Sequence, residues 1–192
     1  DEALPEKLRH EQIDIAFNIA EGLHGRGREA QVPAMLRFFR IPFTGSDETT
    51  LCISLDKALT KRIVSSYKIR TPKCAVLSAK APLPAASLRY PVIIKPNAEG
   101  SSKGISDISI VKTRKELCEL VKRNIGLYRQ DMLAEEYIEG REFTVGILGN
   151  GRNARVFPPM EIVYKKPTQE TYHVYHYKLK QNFTEYVDYQ CP

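Results

Sequence analysis

The sequence predicts an α+β fold, a strand-rich body preceded by part of an open α/β unit. Three observations carry this. An early apolar run, "IDIAFNIA" (13–20), is followed by a loop and then a helical stretch, the order of an open α/β unit. From residue 74 onward, apolar runs of strand length follow one another. Between them lies one clear amphipathic helix, at about 114–128.

In chain order, residues 13–20 read as a buried strand that ends in the loop "EGLHGRG". "REAQVPAMLRFFR" reads as a helix, with Pro33 in its first turns, where proline is tolerated. "IPFTGSD" is a turn-rich connector. Residues 48–67 read as a helix in two pieces, ended by the polar "KIRTPK". "CAVLS", "PVIIK", "ISDISIV", "MLAEEYI" and "EFTVGIL" read as strands. In "VKTRKELCELVKR", Thr113 and Glu116 form a capping box, and Leu117, Val121, Ile125 and Tyr128 fall on one helical face. "ARVFPPMEIVY" is a further strand, whose proline pair confines its start to an edge. The organisation changes near Gly45–Thr49 and again near Gly140.

With 192 residues, 42% of them hydrophobic, the chain can bury one good core or two small ones. No apolar run reaches the roughly 18–20 residues of a membrane helix, and the charged start "DEALPEKLRHEQ" is unlike a signal peptide. The first strand of an open α/β unit is not seen before residue 13, and no initiator Met is present, so a longer parent chain is expected. Cys52, Cys74, Cys118 and Cys191 are far apart and form no zinc motif, which suits reduced thiols in the cytoplasm. A net charge of +6 suits an anionic partner, but basic and acidic residues alternate rather than forming a nucleic-acid stripe. His173 and His176 are spaced i,i+3 without an evident third metal ligand, and read as loop histidines.

The chemistry concentrates in two stretches. "NAEGSSKG" (97–104) follows the run "PVIIK". Glycines and serines there can turn backbone N–H groups and hydroxyls toward phosphate oxygens. The pattern is not a Walker loop, and alone it fits a polar hairpin turn equally well. Lys95 ends the preceding run, where it suits either a phosphate or a snorkelling strand end. Lys57, on a helix, suits a phosphate or plain solvent. The second stretch, "LAEEYIEGREF", offers the acids Glu135, Glu136 and Glu142. Carboxylates there can accept from an adenine amino group or ribose hydroxyls, and extended backbone can meet a base edge.

These stretches together resemble the ATP-grasp family, and within it the D-alanine–D-alanine ligases. The residues that carry the likeness are "TGSD" (44–47), "LDKALTK" (55–61), "TP" (71–72), "YPVIIKPNAEGSSKGIS" (90–106), "AEEYIEGREFTVGILGN" (134–150), "PPMEI" (158–162) and "CP" (191–192). They lie in the family's order and at its spacing. The resemblance implies a partial ATP-grasp fold preceded by part of a Rossmann-like domain. Residues 1–47 would be the remnant of an N-terminal substrate domain, 48–140 the small ATP-grasp subdomain with linker helices, and 141–192 the start of the large subdomain.

It also implies a reaction. ATP phosphorylates a carboxylate, an amine attacks the acyl phosphate, and phosphate leaves. Residue by residue, Lys57 and Lys95 would meet the ATP phosphates and Glu135 the adenine amino group. Glu136 and Ile138 would offer backbone groups to the base, and Glu142 would hold the ribose hydroxyls. Ser101 and Ser102 would belong to a loop over phosphate and substrate, and Lys180 in "YKLKQN" to a second closing loop. ATP and Mg²⁺ are the implied cofactors, with the metal ligands expected downstream of this sequence. D-alanine is the implied substrate. A cytoplasmic homodimer contacting neither nucleic acid nor membrane is the implied setting. Without those metal ligands this sequence is expected to bind ATP weakly and to be inactive by itself. Two departures bear on substrate. Gln181 follows Lys180 where the family commonly has tyrosine, and "FNIAEGLHGRGREAQVPA" differs from the family's His-Gly version. Glu21 there suits a substrate amine or a plain loop acid. A different amino- or hydroxy-acid pair, or a non-catalytic nucleotide-binding module, is the alternative.

Overall fold

Residues that alternate in and out of a core dictate the central sheet. A computed structural model describes residues 2–79, 88–102, 109–165, 172, 174–175 and 177–191. Strands β1 (Cys74–Leu77), β2 (Val92–Pro96), β3 (Ile110–Val111) and β4 (Met132–Glu136) form an antiparallel sheet in the order β1-β4-β2-β3. Helix α5 (Arg114–Tyr128) covers one face. Leu77, Val92, Ile94, Val111, Met132 and Ala134 pack there against Leu117, Leu120 and Val121, with Ile125 and Tyr128 at the margin. The predicted apolar stripe of α5 is therefore its buried one. The expected capping box forms in one half only, because the glutamate's reciprocal bond goes to the residue before the cap. Thr113 Oγ1 accepts from Glu116 N at 3.2 Å, and Glu116 Oε2 reaches back to accept from Lys112 N at 2.7 Å.

Opposite residues in an antiparallel pair share a face. Lys95 lies opposite Leu133, and both Ile93 and Cys74 lie opposite Glu135. This register places Lys95 and Glu135 together on the face away from α5.

Before the sheet come α1 (Leu4–His10), a 3-10 turn (Arg28–Ala30), α2 (Gln31–Phe38), α3 (Glu48–Leu55) and α4 (Lys57–Ser66). The predicted division of 48–67 falls at Asp56. Its backbone is extended (φ −81°, ψ 97°), and its carboxylate caps α4 by accepting from Leu59 N at 3.0 Å. Leu8, Leu36 and Ile41 form a second small core.

The expected strand at 13–20 does not join a sheet. Ala16 makes a single parallel bridge with Phe43, donating to Pro42 O at 2.8 Å and accepting from Thr44 N at 3.0 Å. Ile15, Phe17 and Ile19 are 62%, 80% and 81% exposed. An extended segment becomes a sheet strand only where neighbours satisfy its edges, and among the described residues the 42–44 segment is the neighbour it meets.

Beyond Glu136, β5 (Glu142–Thr144), β8 (Met160–Tyr164) and β9 (Val187–Gln190) form a three-stranded antiparallel sheet in the order β5-β8-β9. The expected strand "EFTVGIL" is divided in two. Its second half is β6 (Ile147–Leu148), which pairs with β7 (Arg155–Val156) as a separate hairpin. Phe157 N donates to Gly146 O at 2.9 Å where the chain leaves one sheet for the other. Helices α6 (Tyr177–Gln181) and α7 (Phe183–Tyr186) precede β9. The first part of "ISDISIV", together with His173 and His176, lies outside the described residues. Among the described residues no helix is long and apolar enough to cross a membrane.

Ile94 is fully buried between β4 and α5, so Ile94→Ala is expected to cost about 2–5 kcal/mol. Thr113→Ala, which removes one exposed cap, is expected to cost only about 1 kcal/mol. Urea unfolding of the two variants checks this ranking, and a reversed order contradicts the account of the core.

Candidate nucleotide-binding site

The helix α4 is tied to the glycine–serine loop at its first residue. Lys57 N donates to Asn97 O at 3.0 Å, and Ala58 N to Asn97 Oδ1 at 3.0 Å. Asn97 Nδ2 in turn donates to Asp56 Oδ1 at 2.9 Å. Asn97 thus answers donors and an acceptor that the helix start leaves open, and it fixes Lys57 beside the loop. The Lys57 ammonium donates to Glu99 O. Burial first, and then the charge of Lys95, push its pKa down from 10.5 to about 8. A lysine whose charged form is opposed by burial and by a second lysine marks a place suited to negative charge.

Lys95 reaches across the sheet to Glu135 Oε2. Lys61, one helical turn after Lys57, takes Glu135 Oε1 and also donates to Thr71 Oγ1 at 2.5 Å. Burial alone would raise the Glu135 pKa. Lys95 and Lys61 together outweigh it and hold Glu135 below the ordinary glutamate value.

A cleft of about 590 Å³ opens beside this pair. Ile93, Lys95, Glu135, Ile138 and Glu142 line it, with Tyr175 at its edge. Glu136 also borders it, but its carboxylate is engaged elsewhere, accepting from Arg89 N at 2.9 Å and from Arg89 Nη2 at 3.3 Å. The sheet's hydrogen bonding runs to Tyr137 N, which donates to Pro91 O at 3.0 Å. Ile138, just beyond, is 63% exposed. Glu142 opens β5, and its Oε2 accepts from the Tyr164 hydroxyl. Burial, and then this hydrogen bond, raise the Tyr164 pKa.

The loop itself holds two residues in the left-handed region, Ser101 (φ 49°) and Ser102 (φ 58°), a conformation disfavoured for non-glycine residues. Ser101 Oγ donates to Glu21 Oε1. Ser102 Oγ donates to Tyr175 O at 3.4 Å. Glu21 is thereby brought to the loop. It also lies 3.7 Å from Arg28 Nη2, which stands 3.3 Å from Glu99 and 3.8 Å from Glu29. Gly100 packs closely here: a Cβ there would stand 2.5 Å from Glu29 Oε1, so the end of that side chain would have to shift. Lys180 is exposed, with its ammonium 5.5 Å from the centre of the Tyr175 ring. Tyr175 is its link to the loop.

The structure therefore lines one cleft with Lys95, Glu135, Glu136, Ile138 and Glu142. Lys57 is not in its wall but is bonded to the adjoining loop and lies close enough to Lys95 to feel its charge, while Ser101 meets Glu21 and Ser102 meets Tyr175. Four supporting residues received no role from the sequence, Arg28, Asp56, Lys61 and Asn97, although the last three lie in the stretches that carry the family likeness. Lys61 stands at i,i+4 from Lys57, a spacing that puts both on one helix face and could have singled it out.

Residues 72–192 match the family described as D-ala D-ala ligase C-terminus. The chain is 35% identical over 173 residues to the D-alanine–D-alanine ligase of Bordetella pertussis, covering 88% of this chain and 51% of that protein. Its fold is similar to the D-alanine–D-alanine ligase of Bacillus anthracis complexed with ATP. The TM-score is 0.69 at 24% identity, over 96% of this chain and 60% of that one. It is likewise similar to the VanG D-Ala:D-Ser ligase of Enterococcus faecalis, with a TM-score of 0.65 at 23% identity over 85% and 48% of the two chains. The fold is a partial ATP-grasp fold, α+β. The chain spans about half the length of the curated relatives it matches.

The position of Lys57 sets a pH dependence. A bound triphosphate favours the charged ammonium, so affinity should fall as pH rises from about 7.5 to about 9.5, through the range in which free Lys57 loses its proton. Lys57→Met should bind ATP more weakly at the lower pH and show a flatter profile. NMR titration of both proteins checks it. Parallel profiles would contradict the role given to Lys57.

Proposed function

The chain belongs to the D-alanine–D-alanine ligase family, and from that premise we propose that it supplies the nucleotide site of an ATP-dependent carboxylate–amine ligase. The observation that carries the reading is the cleft lined by Lys95, Glu135 and Glu142, with Lys57 close enough to Lys95 to feel its charge. Lys57 and Lys95 would neutralise the triphosphate, Glu135 would accept from the adenine amino group, and Glu142 would accept from the ribose hydroxyls. Glu136 and Ile138 would serve through their backbone, a role supported by the engagement of the Glu136 carboxylate with Arg89. Division into 1–47, 48–140 and 141–192 is part of the proposal, with the nucleotide held between the last two.

Phosphoryl transfer asks mainly for positioning and charge neutralisation. In the proposed reaction a carboxylate oxygen attacks the γ-phosphorus and ADP leaves. An amine nitrogen then attacks the acyl carbon, and inorganic phosphate leaves. Ser101 and Ser102 would hold the transferred phosphoryl group, and Lys180, which stands on the short helix α6 rather than in the loop expected from the sequence, would cover it and help to exclude water. Glu21, joined to Ser101, would receive a substrate ammonium. Among the described residues no group of three or more His, Cys, Asp or Glu side chains is placed to hold a metal. Magnesium is proposed as a cofactor without ligands assigned here, and no step is routed through it.

D-alanine is the proposed substrate for both positions, and the product a precursor for the cell wall. A second reading, with another amino or hydroxy acid in one position, is favoured by Gln181 after Lys180 and by Glu21 in the divergent early loop.

The test is phosphate release from ATP by the full-length protein with D-alanine, D-serine or D-lactate. D-alanine-dependent release is expected, falling about 100-fold in kcat/KM for Lys95→Met. Release with D-serine or D-lactate alone moves the proposal to the second reading. No dependence on any of them contradicts ligase activity.

A further inference from the structure

We propose that Lys61 is a positioning residue for base selection: it holds Glu135 by one oxygen so that the other, once Lys95 leaves it, meets the 6-amino group of a purine. The inference rests on the nucleotide reading above and extends it to a residue that touches no part of the nucleotide.

Three observations support it. The Glu135 carboxylate is shared oxygen by oxygen, Oε1 with Lys61 and Oε2 with Lys95. The side chains of Lys61 and Glu135 are only 11% and 10% exposed, against 22% for Lys95. Lys61 is also anchored at a second point, Thr71 Oγ1 at 2.5 Å. Lys95 has the more open side chain and stands at the loop end of β2.

The consequence follows from the cost of stranding a buried charge. If Lys95 turns toward a triphosphate, Glu135 keeps a buried negative charge and must keep a cation. Lys61 meets that need. It lies about 6 Å farther along α4 than Lys57, four residues at 1.5 Å each, and Thr71 holds it there. Glu135 thereby stays ionised and stays an acceptor. A purine with an amino group at C6 satisfies the freed Oε2. A 6-oxo purine presents an acceptor to an acceptor and leaves both unpaired.

The experiment compares ATP with ITP by protein-observed NMR titration of the 192-residue chain, which reads weak affinities directly. Wild type is expected to bind ATP at least about 10-fold more tightly than ITP, the size of one mispaired buried polar group. In Lys61→Met that ratio should fall to within about threefold, mostly through loss of ATP affinity, while Lys61→Arg should largely keep it. The ratio is insensitive to the fraction of folded protein, because both nucleotides titrate the same folded molecules. If Lys61→Met does not fold, Thr71→Val takes its place and should lower the ratio part of the way. A wild-type ratio retained in Lys61→Met, or in Thr71→Val where that variant stands in, overturns the role of Lys61 and leaves the nucleotide site intact. Wild type that binds neither nucleotide overturns the nucleotide reading itself.

Discussion

The Glu135 carboxylate, held between Lys61 and Lys95, is the interaction on which the site depends. It joins α4, β2 and β4 at one point. A buried carboxylate left with no cation is strongly destabilising, whereas one cation keeps it ionised and two also fix it in place. Two lysines near one acid leave a surplus of positive charge, and Lys57 adds to it. Burial and Lys95 hold the Lys57 ammonium at the edge of losing its proton. Lys57 and Lys95 thus form a local cationic end of the site, where an anionic ligand would relieve the repulsion between them.

Around that point the chain supplies supports that never touch the cleft. Asn97 closes the start of α4 and simultaneously begins the loop, so the helix and the loop share one anchor. Arg28, nearly buried, lies within 3.3–3.8 Å of Glu21, Glu29 and Glu99 and donates to Ala98 O at 3.4 Å. It ties the early segment to the same loop. Three acids around one guanidinium leave net negative charge beside Ser101, while the lysines leave net positive charge below it. An ammonium and a phosphate would each find a complementary side of one loop. That separation of charge is what the proposed ligation would use at the two sides of the loop.

Much of this was legible in the sequence where the cause is local. The stripe and capping box of α5 predicted its buried face, because both depend on residues three and four apart. Lys95 and the acids of "LAEEYIEGREF" stood out by chemistry at strand ends. What escaped depends on distant partners. "IDIAFNIA" has the apolar content of a buried strand, yet it meets one bridge at Phe43 and exposes Ile15, Phe17 and Ile19. "EFTVGIL" reads as one strand, but its halves pair with β8 and β7. Lys61 is an ordinary helical lysine until β4 brings Glu135 to it from 74 residues away. Asn97 reads as a turn residue until α4 arrives.

The central claim is that Lys95 is held in reserve by Glu135 and transferred to a triphosphate while Lys61 stays. A crystal structure of the chain with a non-hydrolysable ATP analogue tests it most directly. The account predicts the adenine against Glu135–Ile138, the ribose at Glu142, Lys95 on the phosphates and the Lys61–Glu135 pair intact. A bound analogue that leaves Lys95 on Glu135, or that lies away from Lys57 and Glu142, would contradict it.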